Sequence, residues 1–120
     1  MERCMNMDLD FAMIEREILR KDKKYGRYSE LPNTFDASIE RFERGQDRRG
    51  NTVLWILLKR GDTFYTVKYT KLQEAFFQRC IELLGFRSVE EVVGKRFIFE
   101  KYSVMGKGYM RPYPKKLDHS

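Results

Sequence analysis

Residues 52–70, TVLWILLKRGDTFYTVKYT, admit few structures. Both flanks are dense in β-branched and aromatic side chains, and Gly61-Asp62 between them supplies turn chemistry. The segment therefore predicts a β-hairpin with strands over 52–59 and 63–70. A turn this tight decides which residues face one another. With Lys59 opposite Phe64, alternation sets Leu58 against Tyr65, Ile56 against Val67 and Leu54 against Tyr69 on one side. That side is almost wholly apolar and is expected to face the core. The other side pairs Lys59 with Phe64, Leu57 with Thr66 and Trp55 with Lys68. Rings and ammonium groups thus share a surface expected to face solvent. VLWILL is apolar at both parities, so the alternative is a strand buried on both sides beneath an N-terminal helix, with Trp55 in the core.

The rest of the chain is read around this hairpin. Residues 35–44 (FDASIERFER) predict a strand, and the polar GQDRRGN at 45–51 turns the chain into the hairpin. Leu72, Ala75, Phe76, Arg79, Cys80, Leu83 and Leu84 have amphipathic spacing, which predicts a helix over 71–86 with Gly85 as its stop. Ser88 and Glu91 form a capping-box pattern for a short helix in SVEEVV. A strand follows over 95–104, then a turn at 105–108 and a return strand at 109–113. Pro112 and Pro114 cannot donate to a ladder, so this last strand is expected to be short and at an edge. Upstream, Met7, Phe11, Ile14 and Ile18 mark one apolar face of a helix over 8–22, and KYGRYSELPNT at 24–34 reads as a connector. The expected division is a helix and connector over 1–34, a single barrel domain over 35–116 and a tail over 117–120.

Charge narrows the class of partner. The net +6 is uneven: residues 1–34 hold seven basic and seven acidic side chains, 35–70 seven and five, 71–94 three and four, and 95–120 seven and two. An excess gathered at one end of the sequence suits a polyanion. Sixteen Phe and Tyr plus one Trp are too many for so small a core, so some rings are expected at a binding surface. No apolar run reaches the ~18–20 residues of a membrane span, and the N-terminus carries Glu2, Asp8 and Asp10 in place of a signal peptide's apolar stretch. The expectation is an intracellular, cytoplasmic protein. Cys4 and Cys80 are too few for a disulfide framework, and Cys80 reads as a small buried hydrophobe.

From residue 35 the element order is β-β-β-α-β-β, and over about 35–115 it resembles the OB-fold, a small five-stranded Greek-key barrel. The resemblance rests on element order, with no signature motif. It implies a mainly-β fold and a binding site on the second and third strands and on the loops joining strands 1–2 and 4–5. Those places fall on Trp55, Lys59, Phe64 and Lys68, on Arg48 and Arg49, and on Lys107, Tyr109 and Arg111. Basic and aromatic residues occupy all three. Stacking of bases on rings, with cations on phosphates, is how single-stranded nucleic acid is held without sequence readout. The implied partner is single-stranded DNA, and RNA satisfies the same contacts in the absence of 2′-OH readout.

Catalysis has little to build on. His119 is the sole histidine and stands next to the C-terminus, and neither GxxxxGK[ST] nor GxGxxG occurs. Asp36, Glu40, Glu43 and Asp47 lie among Arg41, Arg44, Arg48 and Arg49, a pattern that reads as ion pairing rather than a metal site. No cofactor is expected. The rival function is a protein-interaction or assembly module with an OB- or SH3-like barrel. Residues 8–22 would plug the barrel, dock on the helix over 71–84, or pair with a second copy to make a homodimer.

Overall fold

The computed structural model describes residues 24–106 and 109–118. Lys107 and the helix expected over 8–22 lie outside the described residues. The fold is mainly β, with strands β1 (Lys24–Tyr25), β2 (Thr34–Gln46), β3 (Thr52–Arg60), β4 (Thr63–Tyr69), β5 (Arg96–Tyr102) and β6 (Arg111–Leu117). Two helices, α1 (Lys71–Leu83) and α2 (Val89–Val92), lie between β4 and β5. The six strands make one open sheet in the order β1-β4-β3-β2-β5-β6.

The β3–β4 hairpin has the expected register, from Arg60 opposite Thr63 down to Leu54 opposite Tyr69. Gly61 turns it at a φ of 62°, a conformation glycine adopts without steric cost. Leu54, Ile56, Leu58, Val67 and Tyr69 all point into the core. β2 pairs with β5 over its first residues and with β3 over the remainder, with a bulge between Ile39 and Arg41. A bulge of this kind sharpens the local twist and bends the strand. The sheet curls there, and α1 covers the hollow with Phe77 and Ile81, beside Phe97, Phe99 and Tyr113.

α1 begins where Thr70 caps it. The Thr70 hydroxyl accepts from the Gln73 amide at 3.2 Å, and the Gln73 side chain accepts from Thr70 N–H at 2.9 Å. This reciprocal pair satisfies two backbone donors. The capping box expected at Ser88 does not form: Ser88 makes no side-chain cap, and Glu91 instead accepts from the Arg87 amide at 2.9 Å.

The expected closed five-stranded barrel is corrected to an open sheet, and the prolines supply the reason. Pro112 lies opposite Lys101 and Pro114 opposite Phe99, so the two share one parity. At that parity the backbone of β6 faces away from β5, as shown by the Pro112 carbonyl, which accepts from the Tyr69 hydroxyl at 2.5 Å. Two successive donors toward β4 are thus missing, and no ladder closes the gap. Side chains bridge it. Arg111 Nε donates to the Lys68 carbonyl at 2.6 Å, and the Tyr28 hydroxyl donates to the Met110 carbonyl at 2.6 Å. β6 is at an edge as expected, but it is longer than expected, reaching Leu117, the first residue of the anticipated tail.

The segment expected as a connector is an ordered part of the fold. β1 pairs in parallel with Thr63–Phe64, and a 3-10 turn follows at Tyr28–Glu30. Leu31 is buried. Gly26 passes so close to the Tyr65 ring that a Cβ there would clash, and its N–H donates to the Phe64 carbonyl at 2.9 Å.

Candidate nucleic-acid interface

The loop joining β2 to β3 is organised by Asp47. Its carboxylate accepts from the backbone amides of Arg49 and Asn51, each at 2.9 Å, and from Asn51 Nδ2 at 3.4 Å. The Asn51 amide chiefly holds this carboxyl below the ordinary range, with the Arg49 amide and the Lys68 charge acting in the same direction. Such an Asx-type turn needs Asp or Asn at its start, because only a short polar side chain can reach its own backbone. Gly50, at a φ of 84°, completes the loop and leaves Arg48 and Arg49 exposed at its tip.

Beside the loop, Trp55 sits between Glu43 of β2 and Lys68 of β4. Lys68 Nζ lies 5.9 Å from the indole centre, within cation–π range. From the other lip comes Tyr109, 79% exposed, whose carbonyl accepts from Gln73 Nε2 at 3.1 Å. Asp47, Arg48, Arg49, Asn51, Trp55, Lys68 and Tyr109 together line a cleft of about 450 Å³. Ligand clefts span roughly 300–1,000 Å³, and this one falls within that range. The cleft offers two rings and three cations against one carboxylate, and that carboxylate is already occupied by backbone donors.

Of the other described residues the sequence singled out, Lys59 and Phe64 lie away from the cleft and Arg111 beside it. Lys59 and Phe64 stand at the turn end of the hairpin, with Lys59 Nζ 5.7 Å from the ring centre. All four hairpin residues share one face, as expected, but that face is not uniformly open: Leu57 is 4% exposed and Phe64 6%. With Trp55 they form a second small apolar cluster. A ring so buried offers no face to a base. Arg111 lies next to the cleft and clamps the seam, since Nε is held by the Lys68 carbonyl and Nη1 by Met110 at 3.0 Å. Its guanidinium carbon lies 5.7 Å from the Tyr109 ring centre and 5.5 Å from that of Tyr28.

Sequence reasoning missed Asp47 and Asn51 as the frame of the loop, although an Asp opening a polar turn is itself the signal. It also left Tyr28 in a connector. Arg111 and Lys101 both lie over that ring, Lys101 Nζ at 4.5 Å from its centre, and burial raises its hydroxyl pKa to about 12. Of the acids weighed as a metal cluster, Asp36 pairs with Arg96 and Arg60, and Glu43 with Arg41. Among the described residues no three His, Cys, Asp or Glu side chains gather as metal ligands. Nor is any helix among them long and apolar enough to cross a membrane. Comparison with family models, with curated proteins and with solved structures returned no match.

Proposed function

We propose that the chain binds single-stranded nucleic acid, most simply single-stranded DNA, with little sequence preference. The carrying observation is that Arg48, Arg49, Trp55, Lys68 and Tyr109, drawn from three separate stretches of sequence, line one cleft. Trp55 and Tyr109 supply faces on which a base can stack, and the cations lie within reach of the flanking phosphates. Base–ring stacking contributes about 1–3 kcal/mol per base and tolerates any base, because every base has a π-face. The OB-like part of the reading is supported by the β-β-β-α-β-β order from β2 onward and by the curled sheet left open at one seam, OB-folds being partly open Greek-key barrels.

The test uses the protein's single tryptophan, which stands in the cleft. Titration with an unlabelled oligonucleotide of about 20 nucleotides, longer than the ~4–16 covered by one OB-fold, should change Trp55 fluorescence saturably. The change should weaken as salt rises, because each neutralised phosphate releases counterions. An unchanged indole signal at low salt, together with unchanged anisotropy of a labelled oligomer, sinks the proposal. Duplex of the same length should compete poorly.

A further inference from the structure

The solvent side of α1 carries a stripe that the cleft does not use. Leu72 is 53% exposed and Leu83 87%, an unusual presentation for leucines on a helix otherwise anchored by Phe77 and Ile81. Between them the exposed Ala75 and Arg79 and the half-buried Phe76 and Cys80 continue the stripe, Phe76 meeting Tyr113 edge-on at 4.7 Å on its inner side, and a groove of about 400 Å³ runs along it beside the Val104–Gly106 turn. The positions recur at alternating steps of three and one, the seam spacing of helices that pack on helices.

The stripe reads the same from either end. Leucines stand at both ends, the small side chains Ala75 and Cys80 come next, and Phe76 and Arg79 occupy the middle. A two-fold axis between Phe77 and Gln78 sets Leu72 on Leu83 of the second copy, Ala75 against Cys80, and Arg79 across the ring of Phe76. Small side chains then meet small ones, which lets the backbones approach, and the cation meets an aromatic face. Charge agrees with this axis. Lys71 and Glu82 are eleven residues apart, so at about 100° per residue they fall on one flank of the stripe at opposite ends. The same axis brings Lys71 beside Glu82 of the other copy, twice. Lys71, Arg79 and Glu82 form no ion pair among the described residues. Self-complementarity of a single patch is what a two-fold homodimer requires and what an unrelated partner does not.

We propose that α1 is a homodimer interface, two copies packing antiparallel along Leu72, Phe76, Arg79 and Leu83. This is independent of the nucleic-acid reading, because the cleft lies on other residues. A 13-residue helix spans about 20 Å, so the contact is small and a dissociation constant of about 1–100 μM is expected.

Sedimentation velocity over about 1–200 μM protein tests it. The wild type should pass from monomer to dimer across that series. Leu83→Arg should weaken dimerisation by about tenfold or more with unchanged melting temperature, the side chain being 87% exposed. Lys71→Glu and Glu82→Lys should each weaken it, and the double swap should restore it, an outcome only an antiparallel pair of copies produces. A wild type that stays monomeric throughout overturns the proposal. So does a dimer indifferent to Leu83→Arg, or a double swap no better than the single changes.

Discussion

Arg49→Ala isolates the electrostatic part of binding. The Arg49 guanidinium makes no ion pair among the described residues, and the loop uses only its backbone N–H, which Asp47 holds at 2.9 Å. Truncation should therefore leave the loop, the fold and the melting temperature in place. Three cations line the cleft, Arg48, Arg49 and Lys68. On single strands each neutralised phosphate contributes about −0.7 to the slope of log affinity against log salt, so the expected wild-type slope is about −2. Raising salt fourfold, from about 50 to 200 mM, should then weaken binding about twentyfold. With one cation gone the slope becomes about −1.4 and the same step should weaken binding only about sevenfold. Anisotropy of a labelled oligomer at four or five salt concentrations measures both slopes. If Arg49→Ala has the wild-type slope, Arg49 does not meet a phosphate. If the wild-type slope is near zero, the polyanion reading fails as a whole.

Trp55→Ala should cost about 1–3 kcal/mol of binding, roughly fivefold to 150-fold, and Trp55→Phe should recover part of it; equal affinities for all three forms would exclude stacking there. Tyr69→Phe removes the buried hydroxyl that meets the Pro112 carbonyl across the seam, and should destabilise the fold by about 1–2 kcal/mol, or about 3–8 °C in melting temperature; an unchanged melting curve would refute the structural role given to that bond. The fold lowers the Asp47 carboxyl pKa, so its contribution is complete above the ordinary carboxylate pKa and is lost as pH falls through the lowered value. Amide exchange at Arg49 and Asn51, compared with that of the β3–β4 ladder along an acid titration, should show the loop loosening on that limb alone; equal loosening at all pH values would contradict it.

The hairpin was legible because a two-residue turn and strict alternation fix register before any tertiary contact is known. For the same reason Trp55 and Lys68 could be paired, whereas Arg48 and Arg49 were added to them through the resemblance in element order, which points to the loop entering β3. Alternation names a face but says nothing of what lies above it: the apolar run VLWILL left the burial of Leu57 open as an alternative, whereas nothing in the sequence marked the burial of Phe64. The open seam was hidden for a related reason. Pro112 and Pro114 announced an edge, but only their pairing with Lys101 and Phe99 shows that both missing donors point at β4. Tyr28 was the hardest case: no periodicity marks it, and its place depends on Lys101 and Arg111, each more than seventy residues further along the chain.

The same gap bears on how the cleft can move. Lys68 stands on one bank, at the end of β4, and Tyr109 on the other, just ahead of β6. Among the described residues, side-chain contacts from Tyr28, Tyr69, Gln73 and Arg111, and no strand ladder, join the two banks. Tethers of that kind yield before a ladder does. The open sheet can thus give along this one line, and the two banks of the cleft part and close with it.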